Sequence, residues 1–113
     1  MVINKIDNIK TRFEREIREI VDAIKTKYKP QKIILFGSFS SEEINEHSDI
    51  DLCIIKETDK RFIDRIGDVL DIIDSSFPVE AVVYTVEEFD RMKREKNPFI
   101  NEIIKKGKIL YEQ

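Results

Sequence analysis

Apolar residues recur at helical spacing through the first quarter of the chain, with Lys, Arg and Glu between them. This pattern predicts an amphipathic helix from about Lys5 to Lys27. We expect the helix to end at Lys29-Pro30, because the residue before a proline avoids the α region. We interpret the basic residues as the solvated face of the helix, rather than as a nucleic-acid arm. The apolar face consists of Ile6, Ile9, Phe13, Ile17, Ile20, Val21 and Ile24.

Three short apolar runs predict the strands of one sheet. Lys32–Phe36 is nearly continuous in its apolar character, which is typical of a strand that is buried on both faces. Ile50–Ile55 and Val79–Tyr84 are the second and third predicted strands. Glu80 stands near the start of the third strand, where a charged residue needs a partner or a metal if it is buried.

A helix is predicted between the second and third strands, over about Lys60–Asp74, with Thr58 or Asp59 as its N-cap. The loop Ser75–Pro78 follows it. The predicted buried stripe of this helix consists of Phe62, Ile63, Ile66, Val69, Leu70 and Ile73. On the other side, Asp64, Asp68 and Asp71 are interpreted as solvated residues.

Capping signals predict two further helices after the third strand. Thr85–Glu88 has the pattern of a capping box and opens a helix to about Lys96. Asn97-Pro98 then places Asn at an N-cap and Pro at the first helical position, and Gly107 ends that helix. Ile109–Tyr111 is predicted to be a short closing strand.

The order of these elements predicts a single α/β (α+β) domain over residues 1–113, with a small mixed β-sheet packed with helices. Residues 1–29 form the N-terminal helix, 32–84 the core strands and 85–113 the C-terminal helices. Cys53 is the only cysteine, which excludes an internal disulfide and suits a reducing cytoplasm. No apolar run approaches the roughly 20 residues of a membrane span.

The negative charge is concentrated in the middle of the chain. Residues 36–80 carry four Lys and Arg against twelve Asp and Glu, whereas the whole chain has a net charge of −3. A surface of that sign repels nucleic acid, so broad DNA or RNA binding is disfavoured.

This acidic block contains the candidate site, in the stretch LFGSFSSEEINEHSDIDLCII. Asp49 and Asp51 point to the same side at the start of the second strand, because side chains alternate along a strand. Two like charges so placed raise each other's pKa unless a cation neutralises them. Oxygen ligands with open coordination positions are what Mg²⁺ prefers. His47 in the preceding loop is interpreted as a surface residue, and Cys53 as a small apolar residue below the site.

Gly37-Ser38 supplies the phosphate side of the candidate site. A glycine permits a sharp turn and a close approach of a ligand to the backbone. Ser38 is a suitable N-cap for a short helix over about Ser38–Ile44, whose free N–H groups can bind phosphate oxygens. The loop Asn45–Ser48 then leads to Asp49.

Gly37-Ser38, ten intervening residues and Asp49-Ile50-Asp51 match the pattern G-S-x10-D-x-D. The chain therefore resembles the DNA polymerase beta-type nucleotidyltransferase superfamily, and its minimal (MNT) members in particular. The resemblance implies a polymerase beta-like fold that binds ATP or another NTP with Mg²⁺ at two metal positions. It implies Asp49, Asp51 and Glu80 as catalytic metal ligands, and Gly37 and Ser38, beside both aspartates, as nucleotide-binding residues.

The resemblance also implies a partner and an acceptor. Minimal members pair with a helical HEPN-type toxin as antitoxins and transfer AMP to one of its tyrosines. Two features depart from the family pattern: Phe39–Glu42 replaces an Arg-x-Arg-Gly-like run, and Glu80 stands where Asp is usual. The alternatives are therefore an active Mg²⁺-dependent transferase and a weak or inactive nucleotide-binding module that acts by protein contact. The acceptor, the nucleobase and the oligomeric state, including a homo-oligomer, stay open.

Overall fold

The computed structural model describes residues 5–37 and 44–113 of the chain. In chain order the elements are α1 (Lys5–Lys27), β1 (Lys32–Phe36), β2 (Ile50–Ile55), α2 (Phe62–Leu70), β3 (Val79–Tyr84), α3 (Val86–Arg94), α4 (Pro98–Lys106) and β4 (Lys108–Glu112). The four strands form one mixed sheet in the order β3-β2-β1-β4, in which β2 and β3 are parallel and the other neighbours are antiparallel. This confirms the predicted α/β class and mixed sheet.

Helices cover both faces of the sheet. On one face, the apolar stripe of α1 packs on alternate residues of β1 and β2, and Val69 of α2 and Phe77 join the same core. On the other face, Ile100 and Ile103 of α4 pack on Ile34, Cys53 and Ile55, with Phe89 and Met92 of α3 beside them. Burial on both sides explains why β1 and β2 are almost wholly apolar.

The elements with strong local patterns have the predicted bounds. Helix α1 and strands β1, β2 and β3 begin and end where the sequence predicts. Thr85 accepts a hydrogen bond from the Glu88 N–H at 3.1 Å and donates its own N–H to the Glu88 carboxylate at 2.8 Å, which confirms the capping box. Asn97 caps α4, and Gly107 ends it. Strand β4 is one residue longer at each end than predicted.

The prediction for α2 was wrong in its bounds, its cap and part of its buried face. The helix spans only Phe62–Leu70, and its N-cap is Arg61, which makes no side-chain capping bond. Its buried residues are Arg65 and Val69, whereas Ile63 is 67% exposed. The apolar stripe did not predict the burial of Arg65. Four hydrogen bonds stabilise this buried side chain, and the hydrophobic pattern cannot show them.

The predicted short helix over Ser38–Ile44 lies outside the described residues, apart from Ile44, which is buried in the core beneath α1. In the described part of the chain, no helix combines the length and the apolar character that crossing a bilayer requires.

Candidate functional site

A row of three side chains crosses one end of the sheet. Asp51 on β2 is paired with Phe36 on β1 and with Glu80 on β3. Side chains at paired positions lie on the same face, with Cβ atoms about 5 Å apart across an antiparallel pair. This is the face on which α3 and α4 pack, and it is the face that Asp49 shares by alternation. The structure therefore brings the three predicted carboxylates together.

The electrostatics of the row centre on Asp51. Burial, the neighbouring charges of Glu80 and Asp49, and a hydrogen bond with the Glu80 side chain raise the pKa of Asp51 to about 6. Asp51 is partly buried, whereas Asp49 and Glu80 are exposed. Each of these influences disfavours the ionised form. A cation held between the carboxylates would reverse their effect, because it favours ionised oxygens.

Gly37 closes the site at the end of β1. Its φ is +76°, in the region that favours glycine. A Cβ at this position would collide with Oδ2 of Asp51 and lie 3.3 Å from its Cγ. The backbone of Gly37 thus lies directly against the Asp51 carboxylate, so the turn and the carboxylate row are adjacent. Ser38, its predicted partner in phosphate binding, lies outside the described residues.

Replacing Gly37 with alanine should lower the free energy of unfolding by about 1–2 kcal/mol, because alanine is strained at positive φ and its methyl group meets Asp51. Chemical denaturation measures the change. Gly67→Ala is the matched control, since nothing lies within 4 Å of the added Cβ in helix α2. That variant should gain about 0.5–1 kcal/mol from helix propensity. Equal effects of the two substitutions would contradict the close contact at Gly37.

Sequence analysis missed a buried carboxylate that supports the site from the other face of the sheet. Glu16 on α1 accepts hydrogen bonds from the Ser76 N–H at 2.5 Å and from the Ser76 hydroxyl. Burial acts to raise the pKa of Glu16, but the bonds from Ser76 outweigh it, and the pKa lies below its ordinary value. The contact anchors the loop that leads into β3 and Glu80. Helical spacing contains a signal of its burial, because Glu16 lies three residues after Phe13 and four before Ile20, at the edge of the apolar face. The partner Ser76 has no local signal, because it lies on a distant segment.

His47 and Cys53, which were interpreted as a surface residue and a small apolar residue, have the predicted environments. The His47 side chain is exposed, in a turn where its backbone N–H donates to Asn45 at 2.8 Å. Cys53 is a free cysteine that is completely buried beneath the carboxylate row, and burial raises the pKa of its thiol to about 12. A thiol of that kind is an apolar filler rather than a nucleophile.

Among the side chains that the structure describes, no three His, Cys, Asp or Glu residues are arranged as a ready metal-binding group. Asp51 and Glu80 instead share a hydrogen bond. The donor set nevertheless fits a hard divalent cation, because all three donors are carboxylates and two of them, Asp49 and Glu80, are exposed to solvent. The raised pKa of Asp51 is what such a donor set shows before a cation compensates it.

Comparison with known proteins decides the family. The family model described as "Polymerase beta, Nucleotidyltransferase" matches residues 18–113, which include the whole carboxylate row. The chain belongs to this family. As a member of the polymerase beta nucleotidyltransferase family, the protein is a transferase, and its recognition from G-S-x10-D-x-D is confirmed.

Two individual proteins support the assignment. A Methanocaldococcus jannaschii protein named "Putative protein adenylyltransferase" is 32% identical over 100 residues, which cover 87% of this chain and 97% of the relative. A crystal structure described as a "putative nucleotidyltransferase" from Sulfolobus solfataricus aligns with a TM-score of 0.67 at 18% identity. It covers 99% of this chain and 91% of the other, and it shows that the two share a fold.

Proposed function

We propose that this nucleotidyltransferase transfers AMP from Mg²⁺-bound ATP to a hydroxyl group of a protein. The observation that carries the proposal is the carboxylate row: Asp51 and Glu80 are paired side by side, Asp49 shares their face, and the Gly37 turn lies against Asp51. Nucleotidyl transfer needs this combination, because phosphate charge must be neutralised where the backbone can approach the phosphates.

The roles follow from position in the row. Asp49, Asp51 and Glu80 would hold the divalent cations, which when bound would neutralise the charge of the triphosphate and favour the deprotonated acceptor. Gly37 and Ser38 would bind the β and γ phosphates while pyrophosphate leaves. Glu80 is exposed at the start of β3, so its carboxylate can meet an acceptor hydroxyl that arrives from solvent. The protein itself mainly positions the reactants.

The proposed acceptor is a protein side chain. The Methanocaldococcus jannaschii relative is named as a protein adenylyltransferase, which supports this class of acceptor here. By resemblance to minimal nucleotidyltransferases, we propose a tyrosine of a HEPN-type helical partner. The reducing cytoplasm is the proposed compartment, and the buried free thiol of Cys53 is consistent with it.

Titration calorimetry with ATP, in the presence and absence of Mg²⁺, tests the site before any acceptor is known. We expect binding to wild-type protein only with Mg²⁺, and at least about tenfold weaker binding to Asp49→Asn/Asp51→Asn, since two of three ligand charges are removed. Asp22→Asn on the exposed side of α1 is the control for loss of one remote charge. Metal-independent binding, or undiminished binding to the double variant, would contradict the proposal.

Transfer is then measured with a HEPN-type protein and ATP labelled on either the α or the γ phosphate. AMP transfer labels the acceptor from the α phosphate only, and a Tyr→Phe acceptor should stay unlabelled. The competing function is contact with a partner without turnover, which the Phe39–Glu42 segment and the glutamate at position 80 favour. A complex that forms equally with wild type and Asp49→Asn/Asp51→Asn, without α-phosphate labelling, would establish that alternative.

A further inference from the structure

An aromatic side chain stands exposed beside the carboxylate row. Phe99 is 41% exposed, and its ring meets the Phe36 ring edge-on, with centroids 5.4 Å apart at 88°. Phe36 is in turn the cross-strand partner of Asp51. The order across this end of the sheet is therefore Glu80, Asp51 and Phe36, with Phe99 against Phe36.

The hydrophobic core on this face of the sheet does not require the Phe99 ring. Its neighbour Ile100 is fully buried, and Ile103 is 2% exposed, so α4 is anchored without the Phe99 ring. The backbone that carries the ring is fixed at the start of α4, since the Asn97 side chain accepts from the N–H groups of Phe99 and Ile100 at 2.9 and 3.1 Å. A half-exposed ring that packs on a second ring is suited to stacking against a planar group.

We propose that Phe99, supported by Phe36, is the platform on which the nucleobase of the substrate stacks. This inference rests on the proposed function, because it assumes that the phosphates lie at the Gly37 turn and the carboxylates. The centroid of the Phe99 ring lies 5.4 Å from the ring centroid of Phe36, which is the residue paired with Asp51. A ribose separates the base from the phosphates, so a base on Phe99 and phosphates at Asp51 fit one bound nucleotide. Stacking of a base on an aromatic ring tolerates any base.

Calorimetry with two probes separates the base from the phosphates. In the presence of Mg²⁺, Phe99→Ala should bind ATP about five- to a hundredfold more weakly than wild type, because stacking is lost. Its affinity for inorganic tripolyphosphate, which has no base, should stay unchanged. Phe62→Ala is the matched control, because Phe62 is 42% exposed and also contacts one aromatic ring, that of Tyr84. Tyr84 is the last residue of β3 and lies at the far end of the sheet from Asp51. Phe62→Ala should retain the wild-type affinity for ATP.

A second measurement does not depend on removing the ring. The chain has no tryptophan, so Phe99→Trp and Phe62→Trp each carry a single tryptophan, whose fluorescence can be excited apart from that of the tyrosines. ATP with Mg²⁺ should quench the fluorescence of Phe99→Trp by stacking, while tripolyphosphate leaves it unchanged. Neither ligand should affect Phe62→Trp.

Different results overturn the inference and the proposed function. If wild type binds ATP and tripolyphosphate equally, or if Phe99→Ala loses no more ATP affinity than Phe62→Ala, the platform is wrong while the phosphate site stands. A wild-type protein that binds neither probe with Mg²⁺ would overturn the proposed function and the platform with it.

Discussion

Replacing Asp51 with asparagine should abolish nucleotidyl transfer and stabilise the fold. We expect activity to fall by about a thousandfold or more, because a central ligand of the metal-binding row loses its charge. Without Mg²⁺, the free energy of unfolding should rise by about 1 kcal/mol at about pH 7. At that pH Asp51 is ionised in the wild type, and the substitution removes its unfavourable interaction with Glu80 and Asp49. The gain is smaller than the raised pKa alone implies, because solvent screens the charge of a carboxylate that is only partly buried.

The pH dependence of the stabilisation has a definite sign. The pKa of Asp51 is raised in the folded protein from 3.8 to about 6, so the folded state binds its proton more tightly than the unfolded state. Below the lower value the carboxyl is protonated in both states, and the variant gains nothing. The gain should develop as the pH rises between the two values and stay constant above about 6. Chemical denaturation of both proteins over this range measures it.

Adding Mg²⁺ provides a second arm of the same experiment. Mg²⁺ should stabilise the wild type and erase the advantage of Asp51→Asn, because the cation compensates the carboxylates that repel one another. Asp22→Asn on α1 should show neither the activity loss nor the pH-dependent gain. Full turnover by Asp51→Asn, or a stability gain that persists below pH 3.8, would contradict the role assigned to Asp51.

Replacing Arg65 with methionine should lower the free energy of unfolding by about 3 kcal/mol, the largest stability effect that we expect in this chain. The Arg65 side chain is 8% exposed and donates to Glu88 at 2.6 and 3.3 Å, to the Val83 carbonyl at 3.2 Å and to the Lys60 carbonyl at 2.8 Å. These bonds tie α2 to the end of β3 and the start of α3. Methionine fills a similar volume but leaves these acceptors without their donor.

Chemical denaturation of Arg65→Met and of Lys106→Met tests this prediction. Lys106 pairs with Glu102 at 2.9 Å, but both side chains are more than half exposed. Its loss should therefore cost far less stability than the loss of Arg65, because solvent screens an exposed ion pair. Similar losses in the two variants would show that burial adds nothing to the Arg65–Glu88 pair.

Acidification gives the Arg65 prediction a signature of its own. The hydrogen bond from Arg65 is the main cause that holds the pKa of Glu88 below its ordinary value of 4.5. The stabilisation from this pair is present above that value and is lost as the pH falls through the lower pKa of the folded state. The deficit of Arg65→Met should therefore shrink in acid, whereas a loss of packing alone would persist.

Local patterns predicted the elements that depend on one segment of chain. Helix α1 and strands β1, β2 and β3 were predicted with correct bounds, because a buried helix face imposes its period on the sequence and a buried strand appears as a short apolar run. The capping box at Thr85 and the Asn97-Pro98 start of α4 were also predicted correctly, since a cap involves only residues within one turn.

The candidate site was predictable in part. The shared face of Asp49 and Asp51 follows from strand alternation within one segment. That Glu80 lies beside Asp51 depends on parallel pairing of β3 with β2 in one register. The family resemblance predicted this placement. The alternation of side chains along β3 does not predict it, because the same alternation is compatible with another neighbouring strand or another register.

Tertiary packing alone decided the contacts made by charged side chains. Arg65 is not part of the predicted apolar stripe of α2, yet it is buried because Glu88 and the backbone carbonyls of Lys60 and Val83 accept hydrogen bonds from its guanidinium. Glu16 is buried because Ser76, sixty residues away, donates to it. The sequence by itself determined the order of strands and helices, the bounds of α1 and of strands β1 to β3, and the carboxylates of the candidate site. Only the folded chain determined which charges are buried, because the burial of a charge depends on partners that no local pattern encodes.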